Sequence, residues 1–335
     1  MKERVLVTGG AGYIGSHVAV ELLAAGYDVT VVDNLSTGSA SALDRVRTVT
    51  GQPLRFVHAD LRNESVLDTA FAEAPIAAVV HLAAMKSPLE SQQKPLEYYD
   101  CNVHGGLCLL RAMTRHDVRR MVFSSTAAVY GDARFLPVTE THPCEPTHPY
   151  GRSKLVLEEI MRDLARSDAT WRMVALRYFN PIGAHPSGAL GESPVGIPQN
   201  LAPYILQAAS GARSHVDVFG DDYPTADGSG VRDFIHVVDL AQAHVAALRP
   251  RVDLTGFRPI NVGTGRGVSV FECIKAAERA IGRSVPFKVA PRRPGDIVES
   301  YADASLAAEL LGWRSSRTIE DMWRDAWRWE SSARA

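Results

Sequence analysis

The chain has 335 residues, 46% of them hydrophobic and 22% charged, with a formal net charge of -2. That is enough chain for a large core and one or two domains, in the ordinary balance of a soluble globular protein. No basic stretch stands out, which argues against nucleic acid as a partner, and no apolar run is long enough to span a bilayer.

The first residues lead straight into a strand, without an apolar signal region. Cys101, Cys108, Cys144 and Cys273 show no C-x-x-C spacing and no histidine cluster beside them. They read as reduced thiols of a cytoplasmic protein, and no metal site is expected.

Val5, Leu6 and Val7 form a short apolar run, as in a strand buried on both faces. Gly9, Gly12 and Gly15 follow in a G-x-x-G-x-x-G turn around Tyr13-Ile14. Residues 16–25 then carry Val18, Leu22 and Ala25 on one helical stripe, and Gly26 ends the helix. A second strand over residues 29–32 stops at Asp33. Glycines let backbone approach a pyrophosphate, and the helix N-terminus offers free N–H groups and a positive dipole end. Asp33 suits a ribose diol and would repel a 2′-phosphate, so the unit predicts NAD rather than NADP.

The alternation continues. Residues 54–59 read as a strand ending at Asp60-Leu61, a pair placed to flank an adenine. Residues 64–74 read as a helix and 77–82 as a strand, followed by Ala83-Ala84-Met85-Lys86, small residues that permit close backbone approach. A long helix over 98–116 carries Asn102, and residues 121–125 and 170–178 form further strands. The pattern predicts an α/β fold: a Rossmann-type doubly wound parallel sheet over residues 1–180. Gly- and Pro-rich loops at 180–200 and 220–231, with helices near 201–210, 237–248 and 269–281, predict a smaller mixed α/β domain over 181–335. That domain would hold the substrate, with some of its elements returning to the first sheet. Trp323, Trp327 and Trp329 read as helix packing.

Tyr150 and Lys154, four residues apart, share one helical face. Leu157, Ile160, Met161 and Leu164 give the same helix an apolar stripe to pack on the sheet. A phenol titrates near ~10 and is a poor base at neutral pH unless a cation lowers it; Lys154 and the nicotinamide of NAD+ are the expected cations. Thr126 follows the strand at 121–125, where its hydroxyl would relay a proton; Ser124 and Ser125 are alternatives. His81, His236 and His244 read as satisfied structural histidines. Arg232 and Arg293 stand open between phosphate contacts and surface salt bridges.

Thr126, Tyr150-x-x-x-Lys154 and the glycine turn resemble the extended short-chain dehydrogenase/reductase superfamily. Within it the chain is similar to the UDP-hexose 4-epimerases, through L-R-Y-F-N-P-I-G-A-H-P-S-G, G-I-P-Q-N-L, D-Y-P-T-A-D-G-S-G-V-R-D-F-I-H-V and R-R-P-G-D. The resemblance implies NAD contacts from Gly9, Gly12, Tyr13, Ile14, Gly15, Asp33, Asn34, Asp60, Leu61, Leu82, Ala83, Ala84, Lys86, Asn102, Ser124, Tyr150, Lys154 and Tyr178. It implies UDP-sugar contacts from Lys86, Thr126, Tyr150, Phe179, Asn180, Asn200, Leu201, Val216, Val218, Phe219, Arg232, Arg293, Asp296 and Ser300. The implied activity is reversible C4 epimerisation of UDP-glucose and UDP-galactose through a transient 4-keto sugar and enzyme-bound NADH, in a homodimer joined through helices 98–116 and 151–166.

Ser300 stands where the family places a bulky Tyr in enzymes confined to simple hexoses. A small residue there implies room for the 2-acetamido group of UDP-GlcNAc and UDP-GalNAc. A 4,6-dehydratase would need Asp-Glu directly after Thr126, where this chain has Ala127-Ala128. A nucleotide-sugar decarboxylase or uronate epimerase fits the 176–188 run less well. A dead NAD-sensing relative would lack Tyr150 or Lys154.

Overall fold

The computed structural model describes residues 2–194, 196, 198, 200–249, 254–293 and 295–334. Ile197, Gln199 and Pro294 of the runs quoted above lie outside the described residues.

Strands β1 (Arg4–Thr8), β2 (Asp28–Asp33), β3 (Arg55–His58), β4 (Ala78–His81), β5 (Arg120–Ser124) and β6 (Arg172–Tyr178) come first in the chain. They are followed by β7 (Asn180–Ile182), β8 (Val216–Phe219), β9 (Val231–His236), β10 (Gly256–Val262), β11 (Gly267–Ser269), β12 (Phe287–Ala290) and β13 (Glu299–Ser300). The first six and β10 make one seven-stranded sheet in the order β10-β6-β5-β4-β1-β2-β3. All its ladders are parallel. Val5, Leu6 and Val7 are fully buried, as a parallel strand covered on both faces must be.

The strand order reverses at β1. The chain winds outward through β2 and β3, then returns to place β4 on the other side of β1. That switch point opens a crevice beyond the C-terminal ends of β1 and β4. The Gly9 turn and residues 82–86 stand on its two lips.

Elements after residue 180 join this first layer. β10 completes the sheet beside β6. Helix Val237–Ala247 packs on helix Tyr13–Ala24 through Val18, Leu22, Leu240 and Ala243, and helix Ser305–Leu311 adds Ala307 and Leu311 to that core. The smaller part is mixed: β9 pairs antiparallel with β11 and parallel with β7 and β13, while β8 pairs with β12. Trp323, buried in this second core on helix Ile319–Arg334, packs as expected.

The long helix expected over 98–116 is interrupted. Helix Pro95–Tyr99 passes into a π-turn at Asp100–His104 before helix Gly105–Arg115. Wide turns of this kind sit often at functional sites. Here the turn carries Asn102 inward, where its amide is committed on three sides.

Candidate active site

The glycine turn is tight beneath and open above. Gly9 has φ +71°, and a Cβ on it would lie 2.6 Å from the Ala83 backbone nitrogen. A Cβ on Gly15 would lie 2.1 Å from the Gly9 carbonyl oxygen. A Cβ on Gly12 would lie 3.4 Å from that oxygen, and as N-cap of helix Tyr13–Ala24 Gly12 offers no side-chain cap. The first-turn N–H groups of Tyr13 and Ile14 therefore face the crevice beside the helix's positive end, which suits a pyrophosphate.

Asp33 closes β2. Its carboxylate accepts from the Ala11 N–H at 3.0 Å and the Leu35 N–H at 2.8 Å, which holds it at the lip where a ribose would lie. Asn34 donates to Asp60 at 2.9 Å, and the neighbouring Arg62 guanidinium holds the Asp60 carboxyl well below its ordinary range. Leu61 and Leu82 are turned into the two apolar cores on either side of the sheet. Tyr13 donates its hydroxyl to the Gly183 carbonyl at 2.7 Å, bridging to the substrate half.

Asn102 fastens residues 82–86. It accepts from the Met85 N–H at 2.8 Å, donates to the Met85 carbonyl at 3.0 Å and to Ser153 Oγ at 2.9 Å. Ser153 lies on helix Pro149–Ser167, so one amide ties the loop to the helix that carries Tyr150.

That helix starts sharply. His148 Nδ1 accepts from the Gly151 N–H at 3.1 Å and Pro149 fills the first turn. Tyr150 and Lys154 are both buried. Thr126 Oγ1 accepts from the Ala128 N–H at 3.1 Å, and its side chain stands beside the Tyr150 phenol. Burial pushes the Tyr150 phenol well above its ordinary value, the nearby Tyr178 phenol adds to this, and the Thr126 side chain opposes it.

Lys154, the cation expected to lower the phenol, is also engaged with β5. Nζ donates to the Ser124 carbonyl at 2.9 Å and stands 4.8 Å from the Phe123 ring centre. Burial brings this lysine down to about 8.

The alternatives to Thr126 are occupied. Ser124 Oγ pairs with His244 Nε2 at 2.8 Å. Ser125 Oγ donates to Glu158 at 2.5 Å. The histidines behave as structural groups: His81 pairs with Thr8 at 2.7 Å, and burial brings it to about 3 and His244 to about 4. His236 lies 3.3 Å from Asp325.

The second cluster lies across the crevice. β13 runs beside β9 with Ser300 opposite Arg232. Arg232 donates to the Val231 carbonyl at 2.8 Å and is brought down by burial, which Asp296 opposes and Arg293 reinforces. Arg293 lies over the Phe219 ring at 4.4 Å and bonds Asp296 at 3.0 and 3.1 Å. Two guanidiniums thus flank one carboxylate beside a half-buried aromatic ring, a net positive site suited to a nucleoside diphosphate.

Val216 and Val218 point the other way, into the core, so β8 has backbone rather than those side chains to offer a ligand. Phe179 is buried against Val129 and Tyr130, and Asn180 opens β7. Asn200, N-cap of helix Leu201–Ala209, donates to Glu192 at 3.2 Å. Glu192 also lies 3.8 Å from Lys86; it had no signal in the sequence. Glu158 and Arg177 were missed too, although Glu158 continues the four-residue spacing of Tyr150 and Lys154.

Residues 5–263 match the model of the NAD dependent epimerase/dehydratase family. The chain belongs to that family. It is 52% identical over 328 residues to UDP-glucose 4-epimerase of Bacillus subtilis, covering 98% of this chain and 97% of that relative. The human UDP-glucose 4-epimerase is 49% identical over 337 residues, with 98% and 97% covered. The solved structure of UDP-glucose 4-epimerase from Bifidobacterium longum, in complex with NAD+ and UDP, is 50% identical. It superposes with a TM-score of 0.95 over 98% of both chains. NAD is the cofactor this family of folds holds, and the glycine cradle, the uncapped helix start and Asp33 fit it.

Proposed function

We propose that this chain is an NAD-dependent UDP-glucose 4-epimerase, interconverting UDP-glucose and UDP-galactose at C4 through a 4-keto sugar. The observation that carries the reading is a buried Tyr150–Thr126 hydroxyl pair, set between a glycine-turn crevice and an Arg232–Arg293 anion site. When bound, NAD supplies the reversible oxidation at the sugar C4 and a positive charge beside the phenol.

The chain's own residues do the rest. The Gly9–Gly15 turn, Asp33 and residues 82–86 hold the cofactor. Arg232, Arg293 and Phe219 anchor the UDP, so that binding energy rests on the part that does not react and the hexose is free to turn. Tyr150 takes the 4-hydroxyl proton, directly or across Thr126, and returns it once the keto sugar has presented its other face. Burial keeps this phenol protonated until a cation is beside it, so the base is armed by the loaded site.

Ser300, opposite Arg232 in β13, leaves space for a 2-acetamido group, so the N-acetylated UDP-hexoses are further substrates. The neighbouring Tyr301 does not fill that space: its ring stands against Gly267, where a Cβ would lie 3.1 Å from Cδ1.

The working form is a cytoplasmic homodimer. Helices Gly105–Arg115 and Pro149–Ser167 frame a groove of about 640 Å³ in which Leu107, Leu110, Ile160 and Leu164 stand among Arg111, Arg115 and Asp163, a face of the kind a second copy covers. Incubating the purified protein with UDP-galactose tests the activity. UDP-glucose should form until the two equilibrate, and a protein that leaves UDP-galactose unchanged is not this enzyme.

A further inference from the structure

Behind the Tyr150 site lies a buried ion pair with no part in the chemistry described so far. Glu158 is fully buried and Arg177 is 2% exposed. Arg177 Nε lies 3.0 and 3.1 Å from the two carboxylate oxygens, and Nη2 lies 2.5 Å from Oε2. Its Nη1 donates to the Tyr130 hydroxyl at 3.1 Å, which donates to Asn261 at 2.6 Å. Such a pair is a poor source of stability, because desolvation offsets its attraction.

Its position suggests another use. Glu158 is one turn beyond Lys154 and two beyond Tyr150, on the same face. Its Oε1 also accepts from Ser125 Oγ at 2.5 Å. Ser125 sits between the two residues that meet the catalytic side chains. The Ser124 carbonyl receives Lys154 Nζ at 2.9 Å, and the Thr126 side chain stands beside Tyr150. The helix therefore holds this three-residue segment by hydrogen bonds at Ser124 and Ser125, with Thr126 beside the phenol.

We propose that Glu158 is a positioning residue: through Ser125 it fixes the Ser124–Thr126 segment against Tyr150 and Lys154, and its carboxylate faces the Lys154 ammonium from behind. This rests on the 4-epimerase reading. The groups facing Lys154 are few. Glu158 stands on its own helix, Cys101 on the π-turn and neutral His81 on β4. Arg177 on β6 is paired to Glu158 itself. Glu158 and Cys101 both favour the lysine's charged form, while burial opposes it. Without Glu158, Lys154 loses its proton at lower pH and Arg177 adds unbalanced charge.

Two variants separate the grip from the charge. Ser125→Ala keeps the ion pair and removes the middle contact. It should lower kcat about tenfold, leave KM for UDP-galactose within about threefold, and leave the pH profile in place. Glu158→Gln should lower kcat further and move the alkaline limb, expected near pH 8 if the Lys154 ammonium sets it, down by about one unit. A folded Glu158→Gln protein with wild-type kcat and an unmoved limb overturns the proposal. Should that variant fail to fold, Ser125→Ala decides, and wild-type kcat there overturns it.

If the wild type itself does not interconvert the sugars, the functional reading fails instead, and the placement of Glu158 is read from stability. A buried lysine titrating below its unfolded value makes the protein more stable as pH rises through that window. In Glu158→Gln the rise should begin at lower pH than in the wild type, and an unchanged onset overturns the proposal.

Discussion

Asn102 and Ser153 are joined by a 2.9 Å hydrogen bond that ties the π-turn to the helix carrying Tyr150. The same amide satisfies both backbone groups of Met85. Replacing Asn102 with Ala strands those groups in a poorly hydrated site, a loss of roughly 2–3 kcal/mol. Because residues 82–86 form one lip of the crevice, NAD retention should suffer along with stability. The expected result is a lower melting temperature and less NAD carried through purification. Unchanged NAD content with a lower melting temperature would confine Asn102 to a structural role.

Tyr150→Phe removes a buried hydroxyl beside Thr126 and leaves the ring in place. Stability should change by less than about 1 kcal/mol, while kcat falls about 10²–10⁴-fold with the loss of the proton acceptor. NAD binding should persist, since the cradle lies across the crevice. Near-wild-type turnover would remove Tyr150 from the role of base. Thr126→Ala should give a smaller loss, because the phenol is retained.

Burial brings Lys154 to about 8 in the folded chain against an ordinary value of 10.5, so the folded state holds its proton less tightly than the unfolded state. Below about pH 8 the charged lysine costs the fold about 3 kcal/mol. The cost fades as pH rises from 8 to 10.5, since the unfolded state binds more protons over that window. Unfolding free energies of the wild type and Lys154→Met, measured from pH 7 to 10.5, should therefore diverge less or more with pH in one direction: the wild type gains on the variant as pH rises. A constant difference would place the lysine's folded pKa at its ordinary value.

The order of strands and the glycine turn were legible because both rest on local pattern: apolar runs four to six residues long, a Gly at each tight approach, and Asp33 at a strand end. Tyr150 and Lys154 stood out through helical spacing taken together with the glycine turn and Thr126. The direction of Lys154 was not, because whether its ammonium meets the phenol or the Ser124 carbonyl depends on packing from β5, far off in sequence. The π-turn at Asp100–His104 was equally hidden, since helical periodicity does not register one extra residue per turn. Val216 and Val218 followed the family's implied contact list but alternate inward along β8, so only Phe219 presents its side chain to the cleft. Glu192 and Arg177 gain meaning from neighbours more than eighty and nearly twenty residues away, Lys86 and Glu158.

Arg293 is held over Phe219 and bonded to Asp296 in the anion site. Arg293→Met keeps much of the side chain's apolar length while removing a charge that would meet the diphosphate. KM for UDP-galactose should rise about 10–100-fold, with kcat falling less, because the lost contact acts on the part of the substrate that does not react. Equal losses in kcat and kcat/KM would mean that this arginine acts on the reacting sugar instead.

Ser300 lies opposite Arg232 across the β13–β9 ladder, and on the proposed reading a large side chain there would enter the sugar end of the cleft. Ser300→Tyr should abolish turnover of UDP-GlcNAc, whose 2-acetamido group needs that space, and leave UDP-galactose turnover within about threefold. The fold should tolerate it, since Ser300 is half-buried at a strand end. The informative quantity is the ratio of kcat/KM for the two substrates in wild type and variant. If the wild type already rejects UDP-GlcNAc, the space beside Ser300 is closed by another group. If the variant keeps both activities, Ser300 does not border the sugar.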